Sequence, residues 1–169
     1  MNDLYYFAYG SNMLPARLQY RVPSARFDSV ARLDGYSLFF CKNGEDGSGK
    51  CNLLVSGGPD DHVYGVIYRL AAVEKSVLDH IEGPRYEVTE LQLSTLQGKR
   101  TVFAYQAGSE HMEPGLQPYE WYKAFVVEGA RVHGLPRDYI AFLEEVVARS
   151  DPDTERALFN ASILGQPYS

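Results

Sequence analysis

The spacing of hydrophobic and polar positions predicts a chain in which β-strands dominate up to about residue 107. Short apolar or aromatic runs, separated by turns rich in Gly, Asn, Asp and Pro, are typical of strands. The runs predicted as strands are 4–8, 26–33, 36–42, 51–56, 62–70, 86–96 and 99–107. The last two are predicted to form a hairpin around Gln97-Gly98, with a bulge between Val88 and Leu91 where the apolar parity shifts.

Apolar residues spaced three and four positions apart predict helices between and after these strands. The predicted helices cover residues 14–19, 71–82, 119–132 and 136 to about 149. In the second helix the predicted buried face is Val73, Val77, Leu78 and Ile81. In the last helix it is Tyr139, Leu143, Val146 and Val147. The segment from Asp151 onward is predicted to be a polar tail.

Short strands at regular intervals with helices among them predict an α/β (α+β) fold. Its core would be a small, strongly curved, mostly antiparallel β-sheet or barrel, and the helices would lie at the periphery. The length of 169 residues, with 45% hydrophobic and 22% charged residues, predicts a single domain over 1–169 without a large disordered region.

Charge and cysteine content narrow the classes of partner and compartment. The net charge of −6 disfavours nucleic acid and anionic membranes as partners. The start, Met1-Asn2-Asp3, lacks the features of a signal peptide, and no apolar run reaches the ~18 residues of a membrane span. We therefore expect a cytoplasmic protein in which Cys41 and Cys51 are free.

The turn Gly10-Ser11-Asn12 follows the first predicted strand and precedes the first helix. Glycine lets the backbone approach a ligand closely, and successive N–H groups at a helix start can receive a carboxylate or phosphate. Asn12 is predicted to cap the helix and Pro15 to lie in its first turn. An ordinary capped turn without a ligand fits the same residues.

Other patterns give weaker indications of chemistry. Residues 44–51 nearly match a P-loop, but Cys51 replaces the Ser or Thr that would hold Mg²⁺, and a strand follows. Lys50 or Asn52 could still border a substrate cleft. The four histidines lie far from metal-ligand spacing, so no metal site is expected. Ser11 lies outside a nucleophile elbow, so hydrogen bonding suits it better than nucleophilic attack.

Glu82 lies in the last turn of a predicted helix that Gly83-Pro84 ends. The negative end of the helix dipole disfavours a further negative charge there, and burial beside Ile81 and Tyr86 would act in the same direction. A carboxylate that takes up a proton readily suits a general base working near neutral pH. A solvated glutamate at a helix end is the ordinary alternative.

Five stretches resemble, in the right order, the γ-glutamylcyclotransferase family, specifically its YFAYGSN group. They are Tyr6 to Met13, Pro23 to Ala25, Val63 to Tyr68, Leu78 to Gly83, and Tyr122 with Gly134-Leu135-Pro136. Together they span roughly residues 4 to 140. Each string alone is unspecific, but their common order and spacing are specific.

The resemblance implies an enzyme that cyclises the γ-glutamyl group of γ-glutamyl amino acids or dipeptides to 5-oxoproline and releases the free amino acid or amine. It implies Glu82 as the catalytic acid and base. No cofactor or metal is expected, because the substrate's own α-amine attacks its γ-carbonyl. The residues expected to bind substrate are Tyr6, Phe7, Ala8, Tyr9, Gly10, Ser11, Asn12 and Tyr122.

Two alternatives stay open at this point. The chain could remove a γ-glutamyl group from a specialised amine intermediate, or it could bind a γ-glutamyl or other carboxylate ligand without catalysis. The partner expected in each case is a small molecule. A homodimer is one assembly that the sequence leaves open.

Overall fold

The computed structural model describes residues 3–166. Its strands are β1 (Asp3–Ala8), β2 (Arg26–Asp34), β3 (Tyr36–Asn43), β4 (Gly49–Val55), β5 (His62–Ala71), β6 (Glu87–Thr95) and β7 (Gly98–Gln106). Its helices are α1 (Pro15–Arg21), α2 (Lys75–Glu82), α3 (Glu120–Val132), α4 (Arg137–Glu145) and α5 (Thr154–Leu164). Short 3₁₀ turns occupy Ser11–Met13, Ala72–Glu74 and Ser109–His111.

Five of the strands close into a barrel in the order β1-β5-β2-β6-β7, and β3 and β4 form a separate hairpin. Neighbouring barrel strands pair antiparallel, except that β1 and β7 close the barrel through one parallel pair, Tyr6 with Phe103. The architecture confirms the predicted small, curved, mostly antiparallel sheet with peripheral helices.

The contact between β1 and β5 depends on a glycine. Phe7 and Ala8 of β1 are fully buried. A Cβ at Gly65 of β5 would lie 2.5 Å from the Phe7 ring and 2.6 Å from the carbonyl oxygen of Ala8. Because real Cβ atoms do not approach that closely, any side chain at position 65 would push the two strands apart. Glycine there lets the strand that leads to the candidate site sit tightly in the barrel wall.

The expected bulge between Val88 and Leu91 is wrong. β6 and β7 pair in unbroken register from Glu87 to Thr95. The apolar residues change from even to odd positions along β6 because they lie on opposite faces of the strand. Val88 is on the outer face and is 49% exposed, whereas Leu93 is on the inner face and is buried.

The expected buried face of the second helix is confirmed at Leu78 and wrong at its other three positions. Leu78 of α2 is fully buried, whereas Val73, Val77 and Ile81 are exposed. α2 instead contacts the barrel through Leu78 and through Asp79, whose carboxylate accepts a hydrogen bond of 2.6 Å from the Tyr105 hydroxyl. A polar contact thus replaces part of the expected apolar stripe.

The C-terminal region departs most from expectation. α4 ends at Glu145 rather than near Arg149, and Val147 is exposed. The chain turns there because residue 149 pairs with the start of α3: the Arg149 N–H donates to Pro118 O and Arg149 O accepts from the Glu120 N–H, both at 3.0 Å.

The predicted polar tail is wrong over Thr154–Leu164, which forms α5. Asp153 caps this helix by accepting a hydrogen bond of 3.0 Å from the Arg156 N–H. The helix escaped prediction because Leu158 and Phe159 are exposed and only Ile163 and Asn160 are buried. Residues 1–2 and 167–169, on which the leader and tail predictions partly rest, lie outside the described residues.

Cys41 and Cys51 are free, as expected. No helix within residues 3–166 has both the length and the apolar character required to cross a membrane.

Candidate active site

The turn after β1 delivers Asn12 to the centre of the site. Pro15 lies in the first turn of α1 as predicted, but Leu14 rather than Asn12 occupies the N-cap position. The predicted cap is therefore wrong, because the Asn12 side chain is engaged elsewhere. Its Nδ2 donates to Glu82 Oε1 at 2.8 Å and to the Tyr6 hydroxyl at 3.0 Å.

Arg21 completes this network from the end of α1. Its Nη1 donates to Asn12 Oδ1 at 2.9 Å and lies 3.2 Å from Glu82 Oε1. The side chains of Arg21 and Glu82 are only 18% and 15% exposed. Hydrogen bonds from an amide and a guanidinium fix the orientation of the Glu82 carboxylate.

A small pocket opens beside this carboxylate and is walled largely by tyrosines. It is lined by Tyr6, Tyr9, Gly10, Ser11, Asn12, Cys51, Glu82, Tyr86, Tyr105 and Tyr122. The backbone of Gly10 has φ of −121°, which other residues can adopt. The constraint on Gly10 is spatial instead, since a Cβ would lie 3.1 Å from Cys51 Cβ and 3.2 Å from Tyr122 Oη, and these neighbours would have to shift to admit it.

The tyrosine hydroxyls are held by the backbone of neighbouring elements. Tyr9 donates to the carbonyl oxygen of Tyr105, and Tyr86 donates to Cys51 O at 2.6 Å. Tyr122 Oη accepts from the Cys51 N–H at 3.0 Å, and its hydroxyl is also hydrogen-bonded to the Cys51 side chain.

Burial keeps these groups neutral. It raises the pKa of Tyr6, Tyr9, Tyr86 and Tyr122 well above the usual value, and it raises the pKa of the Cys51 thiol to about 12. Phenols and a thiol in this state donate hydrogen bonds but do not take up protons at neutral pH. Glu82 is thus the one lining residue of the small pocket that is suited to accept a proton there.

A wider cleft of about 500 Å³ adjoins the small pocket, and the two share Ser11, Glu82, Tyr86 and Tyr122. Five basic and three acidic side chains line the cleft: Arg17, Arg21, Lys42, Lys50 and Arg85, with Glu45, Asp46 and Glu82. The cleft is therefore positively charged, in a chain whose net charge is −6.

Two of the basic residues are fixed by neighbours. Arg17 donates from Nε to Ser11 Oγ at 3.1 Å and from Nη1 to Asn160 Oδ1 at 3.0 Å, and burial lowers its pKa to about 9. Lys50 Nζ lies 2.7 Å from Asp46 Oδ2 and 2.8 Å from Ser48 Oγ, and burial lowers its pKa to about 8.

The near P-loop has a different geometry from a nucleotide site. Residues 44–48 form the turn between the paired strands β3 and β4, and Lys50 lies within β4. A P-loop requires a helix after the glycine-rich turn, so this segment is a hairpin turn. Lys50 nevertheless lines the cleft, whereas the Asn52 side chain bonds the backbone of Ala107 through both Nδ2 (3.1 Å) and Oδ1 (2.9 Å).

The structure brings most of the sequence-predicted residues together. Those that line the small pocket are Tyr6, Tyr9, Gly10, Ser11, Asn12, Tyr122 and Glu82. Phe7 and Ala8 do not line it, because both are buried in the barrel wall.

Sequence reasoning missed Arg17, Arg21 and Lys42. A signal for the first two was present, since they lie four positions apart on the helix after the turn and so share one helical face. The signal for Lys42 was its position in β3. It follows Leu38 and Phe40 at alternate positions, so its side chain lies on the same buried face of the strand.

Among residues 3–166, His, Cys, Asp and Glu form no group of three that could hold a metal ion.

Comparisons with known proteins agree on one family. The model of the AIG2-like family matches residues 62–143. The γ-glutamylcyclotransferases of Mus musculus and Homo sapiens are 37% and 35% identical to this chain over 145 residues, which is 79% of this chain and 73% of each relative. A solved γ-glutamyl cyclotransferase structure superposes with a TM-score of 0.80 at 28% identity, covering 94% of this chain and 99% of its own.

The match to the relatives covers 79% of the chain and the match to the solved structure covers 94% of it. This chain belongs to the γ-glutamylcyclotransferase family.

Proposed function

We propose that this chain catalyses γ-glutamylcyclotransferase chemistry, converting the γ-glutamyl group of a γ-glutamyl amino acid to 5-oxoproline, with Glu82 as the acid and base. The relatives that carry this name support the reaction. The observation that carries the assignment of Glu82 is its carboxylate, which Asn12 and Arg21 hold at the mouth of a pocket of neutral tyrosines.

The reaction needs a proton relay more than a protein nucleophile. The α-ammonium of the substrate gives a proton to Glu82, and the free amine attacks the γ-carbonyl carbon to close a five-membered ring. Protonated Glu82 then donates to the departing nitrogen as the old C–N bond breaks. One ammonium proton stays on the ring nitrogen and two pass to the departing amine, so no net proton is released.

The turn after β1 would bind the negatively charged atoms of the substrate. The first backbone hydrogen bond of the 3₁₀ turn runs from the Met13 N–H to Gly10 O, so the N–H groups of Ser11 and Asn12 precede it and are free of helical partners. These groups could bind the α-carboxylate or the developing oxyanion. Arg17, bonded to Ser11 Oγ, adds positive charge behind them.

The remaining predicted residues take supporting roles in this proposal. Tyr122 lines the pocket and would contact the substrate there, and Tyr6 positions Asn12. Phe7 and Ala8 act through the barrel wall that carries the turn. The proposed partner is a small molecule, acted on by a single cytoplasmic domain without nucleic acid or membrane, as the net charge of −6 favours.

A non-catalytic binding protein is the main alternative. A carboxylate such as Glu82 in the ligand pocket would repel an anionic ligand, so a simple binder would do better without it. The deciding experiment is mass-spectrometric detection of 5-oxoproline released from γ-glutamyl-L-alanine. Release by the purified protein supports the enzyme, and binding of 5-oxoproline without release supports the alternative.

A further inference from the structure

Lys42 is a largely buried cation without a hydrogen-bond or ion-pair partner among residues 3–166. The residue is only 6% exposed, and its side chain lines the cleft beside Glu82. Within residues 3–166, Lys42 Nζ makes no hydrogen bond or ion pair, and its recorded contact is with the face of the Tyr86 ring, 4.2 Å from the ring centroid. The ammonium group of this largely buried residue therefore lacks an acceptor among residues 3–166, at the edge of a cleft from which a ligand can reach it.

Such an arrangement is costly in the free protein. A buried ammonium is normally paired, because removing its charge from water is unfavourable, and burial lowers the pKa of Lys42 below its usual value. The nearby charges are Glu82, Glu45, Asp46 and Arg85, and none of the three acids lies within ion-pair distance of Lys42 in residues 3–166. An anion brought by the substrate would offset this cost.

The other basic residues of the cleft are less available. Arg21 pairs with Glu82, Lys50 pairs with Asp46, and Arg85 donates to Asn43 O at 3.1 Å. Arg17 is bonded at two nitrogens and lies with its guanidinium carbon 4.4 Å from the Phe125 ring centroid.

The position of Lys42 indicates which part of the substrate it would meet. Tyr86 lines both the small pocket and the cleft. Because Lys42 Nζ lies over the Tyr86 ring, the ammonium group is located where the small pocket meets the cleft. If the γ-glutamyl group fills the small pocket with its carbonyl at Glu82, the departing half of the substrate extends into the cleft past Tyr86. In a γ-glutamyl amino acid this half carries a carboxylate one carbon from the departing nitrogen.

We propose that Lys42 binds the carboxylate of the departing amino acid, and that the enzyme thereby selects γ-glutamyl α-amino acids over γ-glutamyl amines that lack a carboxylate. This inference rests on the proposed function. It assigns a substrate-contacting, specificity-determining role to a residue on β3, outside the turn and the helix that hold Glu82.

The test compares two substrates that differ by the carboxylate alone, γ-glutamyl-L-alanine and γ-glutamylethylamide. We expect the parent protein to favour the alanine substrate by about 10- to 100-fold in kcat/KM, mainly through KM, because a charged hydrogen bond is lost with the amide. Lys42→Met keeps the apolar stem but removes the charge, and should reduce this preference to within about threefold. Lys99→Met, at an exposed position of β7, is the matched control and should keep the parental preference.

Other outcomes separate the role of Lys42 from the function itself. Equal losses on both substrates in Lys42→Met would place Lys42 on the γ-glutamyl half and overturn the inference while keeping the enzyme. A parent that shows no preference would overturn it without any variant, even if Lys42→Met failed to fold. A parent that releases 5-oxoproline from neither substrate would overturn the proposed function and this inference with it.

Discussion

At the residue scale, the Glu82 carboxylate accepts a hydrogen bond from Asn12 that the side-chain oxygen of glutamine could also accept. In Glu82→Gln, Oε1 can still accept from Asn12 Nδ2, while proton transfer is lost. We therefore expect a folded variant that still binds 5-oxoproline but loses turnover by about 10⁴-fold, since general acid–base groups contribute typically 10²–10⁴-fold and this one acts twice.

The measurement is the rate of 5-oxoproline release from γ-glutamyl-L-alanine, with product affinity determined in parallel. Glu87→Gln, at an exposed position on β6, serves as the matched control and should retain parental turnover. Turnover of Glu82→Gln within about tenfold of the parent would show that Glu82 is not the base. The cleft carboxylate Glu45 would then be the next candidate, since Asp46 is paired with Lys50 and Asp79 is bonded to Lys75 and Tyr105.

Gly10 allows a second residue-scale prediction, because its constraint is spatial. In Gly10→Ala the new Cβ would meet Cys51 Cβ and Tyr122 Oη, so we expect a loss of about 1–3 kcal/mol in unfolding free energy together with reduced activity. Gly57→Ala, where no atom lies within 4 Å of the added Cβ, should be neutral in both measurements.

Denaturant unfolding of a double variant isolates the cause. In the Tyr122→Phe background one of the two close atoms is gone, so Gly10→Ala should cost less than it does in the parent. An equal cost in both backgrounds would rule out the Tyr122 hydroxyl as the obstacle and leave Cys51.

At the scale of elements, α5 is anchored by one buried carboxylate. Asp151 accepts from Trp121 Nε1 at 2.8 Å, from Arg156 Nε at 2.7 Å and from the Asp153 N–H at 2.9 Å. The Arg156 hydrogen bond, together with those from Trp121 and Asp153, holds the pKa of Asp151 well below its usual value. A single side chain thus links the approach to α5 with the first turn of α3.

The lowered pKa predicts a pH dependence of stability. Because Asp151 binds its proton less readily in the folded state, its contribution is present above the unfolded pKa of about 3.9 and is lost as the pH falls below it. Asp151→Asn should therefore cost about 2–3 kcal/mol at pH 7, and the difference from the parent should shrink progressively as the pH falls below about 4. Urea unfolding across this pH range measures it, with Asp60→Asn at an exposed position as control. A cost independent of pH would mean that packing, not charge, accounts for the effect.

Sequence pattern recovered the strands better than it recovered this helix. Apolar runs bounded by turn residues identified β1 to β7 to within two residues, including β1, β5 and β7, in which consecutive residues are buried on both faces. α5 was missed because its anchor, Asp151, is polar and lies before the helix. Leu78 and Glu82 were placed on the correct helix, but Arg21, Lys42 and Asn12 reach Glu82 or its cleft only through tertiary contacts that local periodicity does not encode.

At the scale of the whole molecule, the charge of the cleft opposes the charge of the chain. A γ-glutamyl amino acid with two carboxylates and one ammonium is itself anionic and would be repelled by a surface of net charge −6 but attracted by the basic cleft. Raising the KCl concentration from about 0.05 to 0.5 M screens the cleft, so we expect KM for γ-glutamyl-L-alanine to rise several-fold with little change in kcat. A KM that stays constant or falls with salt would show that the cleft charges do not act on the substrate.

The barrel closes through Tyr6 of β1 and Phe103 of β7, which are far apart in the chain, so during synthesis the barrel cannot close before β7 has been made. Tyr9 is bonded to the carbonyl of Tyr105, 96 positions later, and Asn12 is bonded to Glu82, 70 positions later. Contacts of such long separation are slow to form, because a large loop must close before they stabilise anything. A nascent chain that has not yet released β7 from the ribosome carries the complete turn and Glu82 but no closed pocket. Recovery of turnover during refolding would therefore report barrel closure, one of the latest events of folding.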